Sequence, residues 1–511
     1  MSTNGPETMT DGGLAPILNE ARSFLSHLFS MDPMNPEEPI MRTLDGPGIA
    51  NVQEMATPRQ ESCEVSKTLQ EAFSIFDNRL RHDHPACFAY MPAYPSPLAW
   101  IGDLLTSVFN VNAAMWNNSS GPSVVENTLL RWLADQAGLP PSAAGCFVSG
   151  GSMANMSAVV MARDNTLPQN RRSDGVVYIS DQTHMSLAKG LHMAGFCDYQ
   201  IRTLPTDQNF RFDLESLSQA ILTDKAKGLL PFLIVGSCGT TNTGSIDPLH
   251  GLADLAEKHS MWLHVDGAYG ASISLSKTNR YLADGLGRAD SVSWDAHKWL
   301  FQTIGSGIIL ARDGRKLEKS FSMEADYIRT TRAPDGSTSF YNVSPELSRP
   351  SRAMSLWFTL KVLGHDRIGQ MIDQGVILAS TAEHELRRLG DWEIVSPATL
   401  SVVVFRYNPF GLVIDEKELD AMNVAISKRL IAENIAAIFT TKLRGCTVLR
   451  LCVINPLVQQ ENVRIILQQM HRIAQKELAL RPGLMESLIS PIYLRPESLS
   501  TATAQPIAQQ E

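Results

Sequence analysis

"SVSWDAHKWL", residues Ser291 to Leu300, sets an imidazole and a primary amine side by side at the end of a short apolar run. Trp299 and Leu300 then return at once to apolar character. A lysine caught between two such segments leaves water at a cost unless it is paired or covalently engaged. Upstream and downstream the same rhythm recurs. Between residues 145 and 312, short apolar runs ("GCFVS", "GVVYIS", "PFLIVGS", "MWLHV", "DSVSW" and "GIILAR") alternate with longer amphipathic stretches. β-branched and aromatic runs separated by helical patterns predict βαβ units and a mostly parallel sheet with helices on both faces, an α/β fold. The last two runs are close enough in sequence to pair antiparallel.

In open α/β sheets, ligands collect beyond the carboxyl ends of the strands. The residues just after each run are therefore informative. "CFVS" leads into Gly150-Gly151-Ser152 and a helix, "VVYIS" into Asp181-Gln182-Thr183-His184, and "FLIVGS" into Gly239-Thr240-Thr241. "MWLHV" leads into Asp266-Gly267-Ala268, and "DSVSW" into Asp295-Ala296-His297-Lys298. Taken singly these have plain readings: a tight turn, a structural histidine, a turn cap, an N-cap aspartate, and a lysine in an ion pair with Asp266 or Asp295. Taken together they suit one ligand. An aldehyde condensed with Lys298 removes the burden of burying a free ammonium. A phosphate on the same molecule suits a Gly/Ser loop at a helix start. A protonated pyridine nitrogen suits a carboxylate: at about 4 Å and an effective dielectric near 20 the attraction is roughly 4 kcal/mol, about 3 pKa units. The ligand with all three features is pyridoxal 5'-phosphate (PLP), with Lys298 as its Schiff-base anchor.

The rest of the chain limits the alternatives. With 511 residues, 44% hydrophobic and 19% charged, it is long enough for two or three domains. A net charge of −9 and no long basic run argue against a nucleic-acid or membrane-surface partner. No apolar run is long enough to span a bilayer, and the opening "MSTNGPETMTDGGLAP" does not read as a signal peptide. Seven scattered cysteines without a CxxC pair suit free thiols and a cytoplasmic location. No residues are assigned to a metal. Helices are expected at 14–30 and 64–81, the latter with Leu69, Phe73 and Phe76 on one face, at "LAWIGDLLTSVF", at "SVVENTLLRWLADQAG" and at "SRAMSLWFTLKVLG". The polar stretch 322–346 is long for a connection and is expected to be a mobile functional loop. Beyond 366, helices mix with strands such as "LSVVVFRY" and "TVLRLCVI". The expected organisation is an arm over 1–95 with its first residues disordered, a large cofactor domain over 96–365, a small α+β domain over 366–490, and a tail over 491–511.

"FVSGGSMANMSAVVMARD", "SDQTHMSLAKG", "GTTNTGSIDP", "LHVDGAYG" and "SVSWDAHKWL" together resemble the group II PLP-dependent amino-acid decarboxylases, which include aromatic L-amino-acid, glutamate and diaminobutyrate enzymes. The similarity covers roughly residues 65 to 480. It implies a fold-type I homodimer with a helical N-terminal arm. By the same resemblance, Lys298 matches the Schiff-base lysine and Asp266 the partner of the pyridine nitrogen. His184 matches the histidine stacked on the ring, and Ala268 the small residue on its other face. Gly151 and Ser152 match the phosphate loop, Thr241 a threonine near the cofactor, and His297 a phosphate contact. Tyr327 matches the loop tyrosine that relatives bring in as a proton donor, directly or through the ring histidine. Asp295 stands where many relatives have asparagine. An anion there repels phosphate, so it is expected to point elsewhere and is left unassigned.

The resemblance implies loss of CO2 from an L-amino acid and release of the amine. Between His84 and Trp116 there is no lysine or arginine to receive an acidic substrate side chain. Phe88, Tyr90, Met91, Tyr94 and Trp100 suit an aromatic one, such as tryptophan, tyrosine or dopa, or else are ordinary core or interface residues. Tyr90 and Pro92 are the expected substrate contacts. Ala93 replaces a hydroxyl residue common in aromatic decarboxylases. Diamino acids, with Asp103 as counter-charge, and acidic amino acids are alternatives. So are a decarboxylating oxidative deaminase that yields an aldehyde, an aminotransferase, and a non-catalytic PLP-binding paralogue.

Overall fold

The computed structural model describes residues 35–91, 94–323, 337–409, 412 and 414–481, with 23, 24 and 26. The expected helix at 14–30, the core of the 322–346 loop and the tail fall largely or wholly outside them.

Seven strands form the central sheet: β1 (Ala144–Val148), β2 (Gly175–Ser180), β3 (Ile201–Leu204), β4 (Leu230–Ser237), β5 (Trp262–Asp266), β6 (Ser291–Asp295) and β7 (Gly307–Ala311). Their order is β1-β7-β6-β5-β4-β2-β3. The pairs β2–β3, β2–β4, β4–β5 and β5–β6 are parallel. β7 runs antiparallel to both neighbours, β1 and β6. Four of the six pairs are parallel, as in the mostly parallel α/β sheet expected, and the final pair is antiparallel as anticipated; the antiparallel β1–β7 pair was not foreseen. β2, β5, β6 and β7 are buried at every position, which is why they read as unbroken apolar runs rather than alternating ones.

β1 is an edge strand, and its outer edge is closed by charge. Glu126 Oε1 accepts from the Phe147 N–H at 2.9 Å, and Arg349 Nη2 donates to the Phe147 carbonyl at 2.8 Å. The two side chains also grip each other, at 2.7 and 3.0 Å, with essentially no exposure. The buried pair thus replaces the neighbour strand that Phe147 lacks.

A second sheet, β8 (Trp392–Thr399), β9 (Val402–Tyr407), β10 (Phe439–Leu443) and β11 (Cys446–Cys452), is antiparallel in the order β10-β11-β9-β8. The helices His365–Leu389, Glu416–Ala432 and Gln460–Ala479 pack with it around a hydrophobic cluster of their own.

Ahead of the central sheet, helix Pro97–Phe109 has Ser96 as N-cap, Pro97 in its first turn and Asn110 in the left-handed conformation at its end. It lies so close to helix Ala353–Leu363 that a Cβ on Gly102 would stand 2.5 Å from Ser355 Cα. The expected helix around Leu69, Phe73 and Phe76 forms over Val65–Asp77 but buries none of its residues, and Phe76 is 71% exposed. Its periodicity was legible, and the Phe24 ring lies 5.1 Å from that of Phe73. No helix among the described residues is long and apolar enough to cross a membrane.

Candidate active site

The carboxyl ends of β1, β2, β4, β5 and β6 open on one crevice of about 370 Å³, and each supplies wall residues. Gly151, Ser152, His184, Thr241, Asp266, Ala268, His297 and Lys298 all line it. Tyr327, Pro92 and Ala93 lie outside the described residues. Tyr90 does not line the crevice: its ring is 62% exposed and edges onto Phe439 at 5.2 Å. Phe88 is core, at 1% exposure.

The loop after β1 can approach a ligand closely because it lacks side chains. Gly150, the residue before helix Gly151–Thr166, has φ +151, a value L-residues avoid. A Cβ on Gly151 would sit 2.7 Å from Asp295 Oδ2. The Gly151 and Ser152 N–H groups come ahead of the first intrahelical bonds, which run from Met153 and Ala154 to the Gly150 carbonyl, and suit an anion. Across from them, His297 Nδ1–H donates to the Ser306 carbonyl at 3.0 Å.

Asp266 ends β5. Its Oδ1 accepts from the Ala268 N–H and the Ser293 hydroxyl, both at 3.1 Å, and its Oδ2 from Asn155 Nδ2 at 2.9 Å. Burial alone would raise its pKa. The charge of Lys298, His264 and the Ala268 and Asn155 donors outweigh that and hold it below the usual carboxylate value. Asp266 is an anion by construction. His184 is N-cap of helix Met185–Met193. Its Nδ1 accepts from the Ser186 N–H at 3.3 Å and lies 2.8 Å from Ser186 Oγ. Burial lowers the imidazole's pKa, opposed by Asp266 and Asp295, so the ring is held towards its neutral form.

Lys298 faces the crevice with its side chain 24% exposed, and its Nζ lies 3.1 Å from Asp295 Oδ2. Here one expectation is corrected. Asp295 does not point elsewhere: it lines the crevice at 1% exposure, its backbone N–H tied to the Ala268 carbonyl. The missing side chain at Gly151 leaves it room, and the ammonium of Lys298 neutralises it. The ion pair considered as an alternative role for Lys298 therefore exists, yet the amine remains open to the crevice. The apolar tail of the opening stretch is explained too. Trp299, fully buried, stacks on Tyr269 at 4.9 Å, which ties the exits of β5 and β6 together.

Three residues of the site and its rim were not singled out from the sequence. Asn155 lies one turn inside the helix that follows the Gly/Ser loop, and Ser186 two residues after His184; both spacings are visible only once the helix starts are known. Arg450, from β11, gave no local signal. Its guanidinium donates to the Thr241 carbonyl at 2.7 Å, to the Tyr90 carbonyl, and to Met91 Sδ at 3.4 Å, pinning segments on both sides of the mouth.

A glycine-walled helix start, a fixed carboxylate and an accessible amine, all in one crevice, fit PLP. The buried Oδ1 of Asp295, on the crevice wall, has no hydrogen-bond partner among the described residues. Fold and site thus define an enzyme of the PLP-dependent kind. Residues 50–408 match the model of the pyridoxal-dependent decarboxylase conserved domain. The chain is 36% identical over 441 residues to the aromatic-L-amino-acid decarboxylase of Bacillus atrophaeus, covering 86% of this chain and 91% of that protein. It is 28% identical to the L-2,4-diaminobutyrate decarboxylase of Acinetobacter baumannii, covering 82% and 86%. Among solved structures it resembles Oryza sativa TDC with PLP and tryptamine, at a TM-score of 0.85 and 26% identity, covering 93% of this chain and 99% of that one. The chain belongs to the pyridoxal-dependent decarboxylase family. It is a PLP-dependent amino-acid decarboxylase, a carboxy-lyase.

Proposed function

We propose that the substrate is an aromatic L-amino acid, such as tryptophan, tyrosine or dopa, converted to its amine and CO2. The observation that carries this is the shortage of cations. Among the described residues lining the crevice, Lys298 is the only lysine or arginine, and nearby Arg450 is committed to three groups. An acidic side chain would have no charge partner of its own. The names of the Bacillus and Oryza relatives support the same reading. The diamino alternative is favoured less: Asp103, its counter-charge, is bonded to the Thr303 hydroxyl.

When bound, PLP supplies the electron sink for the bond that breaks. The chain's own groups do the rest. Lys298 is the anchoring amine, supported by its openness to the crevice. Asp266 holds the ring-nitrogen proton, supported by its anionic state. Gly151, Ser152 and His297 would receive the phosphate, His184 and Ala268 would stand on either side of the ring, and Thr241 would border it. Tyr327 serves as proton donor on the resemblance alone. The active unit is a homodimer with an N-terminal arm, a large and a small domain. Exposed apolar side chains support pairing: Val108 at 69%, Phe109 at 73% and Ile304 at 81%, the last six residues past Lys298. Seven unpaired cysteines support a cytoplasmic location.

The test has two arms. Borohydride reduction of the PLP-loaded protein should fix the cofactor's mass on Lys298 and nowhere else; a label on another lysine overturns the anchor. CO2 release from tryptophan, tyrosine, dopa, diaminobutyrate, ornithine and glutamate should give the highest kcat/KM for an aromatic. Equal or faster turnover of a diamino or acidic substrate overturns the substrate.

A further inference from the structure

We propose that Asn155 is a positioning residue that dictates which ring nitrogen of His184 carries the proton, and that it does so according to the charge on Asp266. The inference rests on reading this crevice as the PLP site only for its catalytic meaning; the coupling itself is a property of the chain.

Asn155 is 1% exposed, and all of its amide is engaged. Its Nδ2 donates to Asp266 Oδ2 and to Ser186 Oγ, each at 2.9 Å. Its Oδ1 lies 3.0 Å from His264 Nε2. Only one orientation of the amide suits an anionic Asp266. Flipped, the Asn155 carbonyl oxygen would stand against a carboxylate oxygen with no hydrogen between them. The charge on Asp266 therefore turns the NH2 towards itself, and the same NH2 reaches Ser186. With its oxygen accepting from Asn155, the Ser186 hydroxyl is free to give its own hydrogen to His184 Nδ1, 2.8 Å away. The Ser186 N–H points at the same nitrogen. A ring nitrogen met by two donors carries no hydrogen, so the proton of neutral His184 sits on Nε2.

The other arm of the amide runs with the same polarity. Oδ1 takes a hydrogen from His264 Nε2, while His264 Nδ1 lies 2.9 Å from the Ser291 hydroxyl and 3.2 Å from the Ser291 carbonyl; the Ser291 hydroxyl oxygen takes the Trp262 N–H at 2.9 Å. The chain Trp262–Ser291–His264–Asn155–Ser186–His184 is buried at every step but its end in the crevice. Neutralising Asp266 frees the amide to turn. Ser186 Oγ then donates to Asn155 instead, only the longer Ser186 N–H contact at 3.3 Å is left to hold Nδ1 unprotonated, and His184 gains access to the opposite tautomer. The nitrogen available to deliver a proton in the crevice is thus set at the far side, by the carboxylate.

The full-length, PLP-free protein labelled with 15N-histidine reads this directly, since Nδ1–H and Nε2–H rings differ in their 15N–1H correlations. His184 is identified by the signal lost in His184→Gln. The native chain should show Nε2–H. Asn155→Leu and Asp266→Asn should each move the tautomer ratio towards Nδ1–H by about fivefold, the worth of one neutral hydrogen bond. A purely structural Asn155 would lower thermal stability and leave that ratio alone. If Asn155→Leu fails to fold, Asp266→Asn, which preserves shape and removes charge, decides alone. An unchanged ratio in Asp266→Asn overturns the proposal. Because no PLP is present, failure here is separate from failure of the borohydride label at Lys298, which would sink the cofactor reading instead.

Discussion

His264 is fully buried within β5, and burial drives its pKa from 6.5 to about 4, against Asp266 and the Ser291 carbonyl, which raise it. The folded chain therefore refuses a proton that the unfolded chain takes up. Between pH 6.5 and about 4 the unfolded state binds more protons at this site, so stability must fall as pH falls through that window and be complete above it. At 1.36 kcal/mol per pKa unit, the shift is worth about 3 kcal/mol at the acid end. His264→Gln keeps a donor for Asn155 and an acceptor for Ser291 while removing the titration. The assay is equilibrium urea unfolding of both proteins at several pH values between 8 and 4, at fixed protein concentration. At pH 8 the two will differ by a constant that reports packing. Below pH 6.5 the native chain should lose about 3 kcal/mol more than the variant. Taking the difference cancels the other histidines, among them His184 and His471, whose pKa values burial also lowers. A difference that stays flat from pH 8 to 4 would refute a buried, neutral His264.

Gly151→Ala places a Cβ 2.7 Å from Asp295 Oδ2 and 3.3 Å from Ala268 Cβ. A spectrophotometric titration should show PLP binding weakened at least about tenfold, ~1.4 kcal/mol, and affinity within twofold of native would contradict the close approach. Arg349→Met strands the Glu126 carboxylate, whose partner it is at 2.7 Å in a fully buried setting. Chemical denaturation should record a loss of about 3–5 kcal/mol, and adding Glu126→Leu should restore part of it, the remainder reflecting the unmet N–H and carbonyl of Phe147. A double variant no better than the single one would show that the pair matters for shape rather than charge.

The site's outline could be read from one dimension because of how parallel sheets work. Each strand ends at the same edge, so residues placed just after apolar runs meet in space whatever their separation in sequence. That is how Gly151, His184, Thr241, Asp266 and Lys298 could be gathered from the sequence alone. The same logic gave the α/β class and the antiparallel β6–β7 pair, whose short link forbids a crossover.

What pattern alone could not supply was side-chain direction and partners from distant segments. Asp295 was expected to turn away on charge grounds; the room left by Gly151 and the ammonium of Lys298 turn it in. Tyr90 had the right chemistry and stands outside the wall, because Arg450, 360 positions away, fixes its backbone with the ring turned to Phe439. Asn155 looks like any polar helix residue until Asp266, Ser186 and His264 close around it. Periodicity and strand-end position are local and survive in the sequence. The charge balance of a buried cluster depends on which groups the fold brings within about 3 Å of each other, and only the tertiary structure decides that.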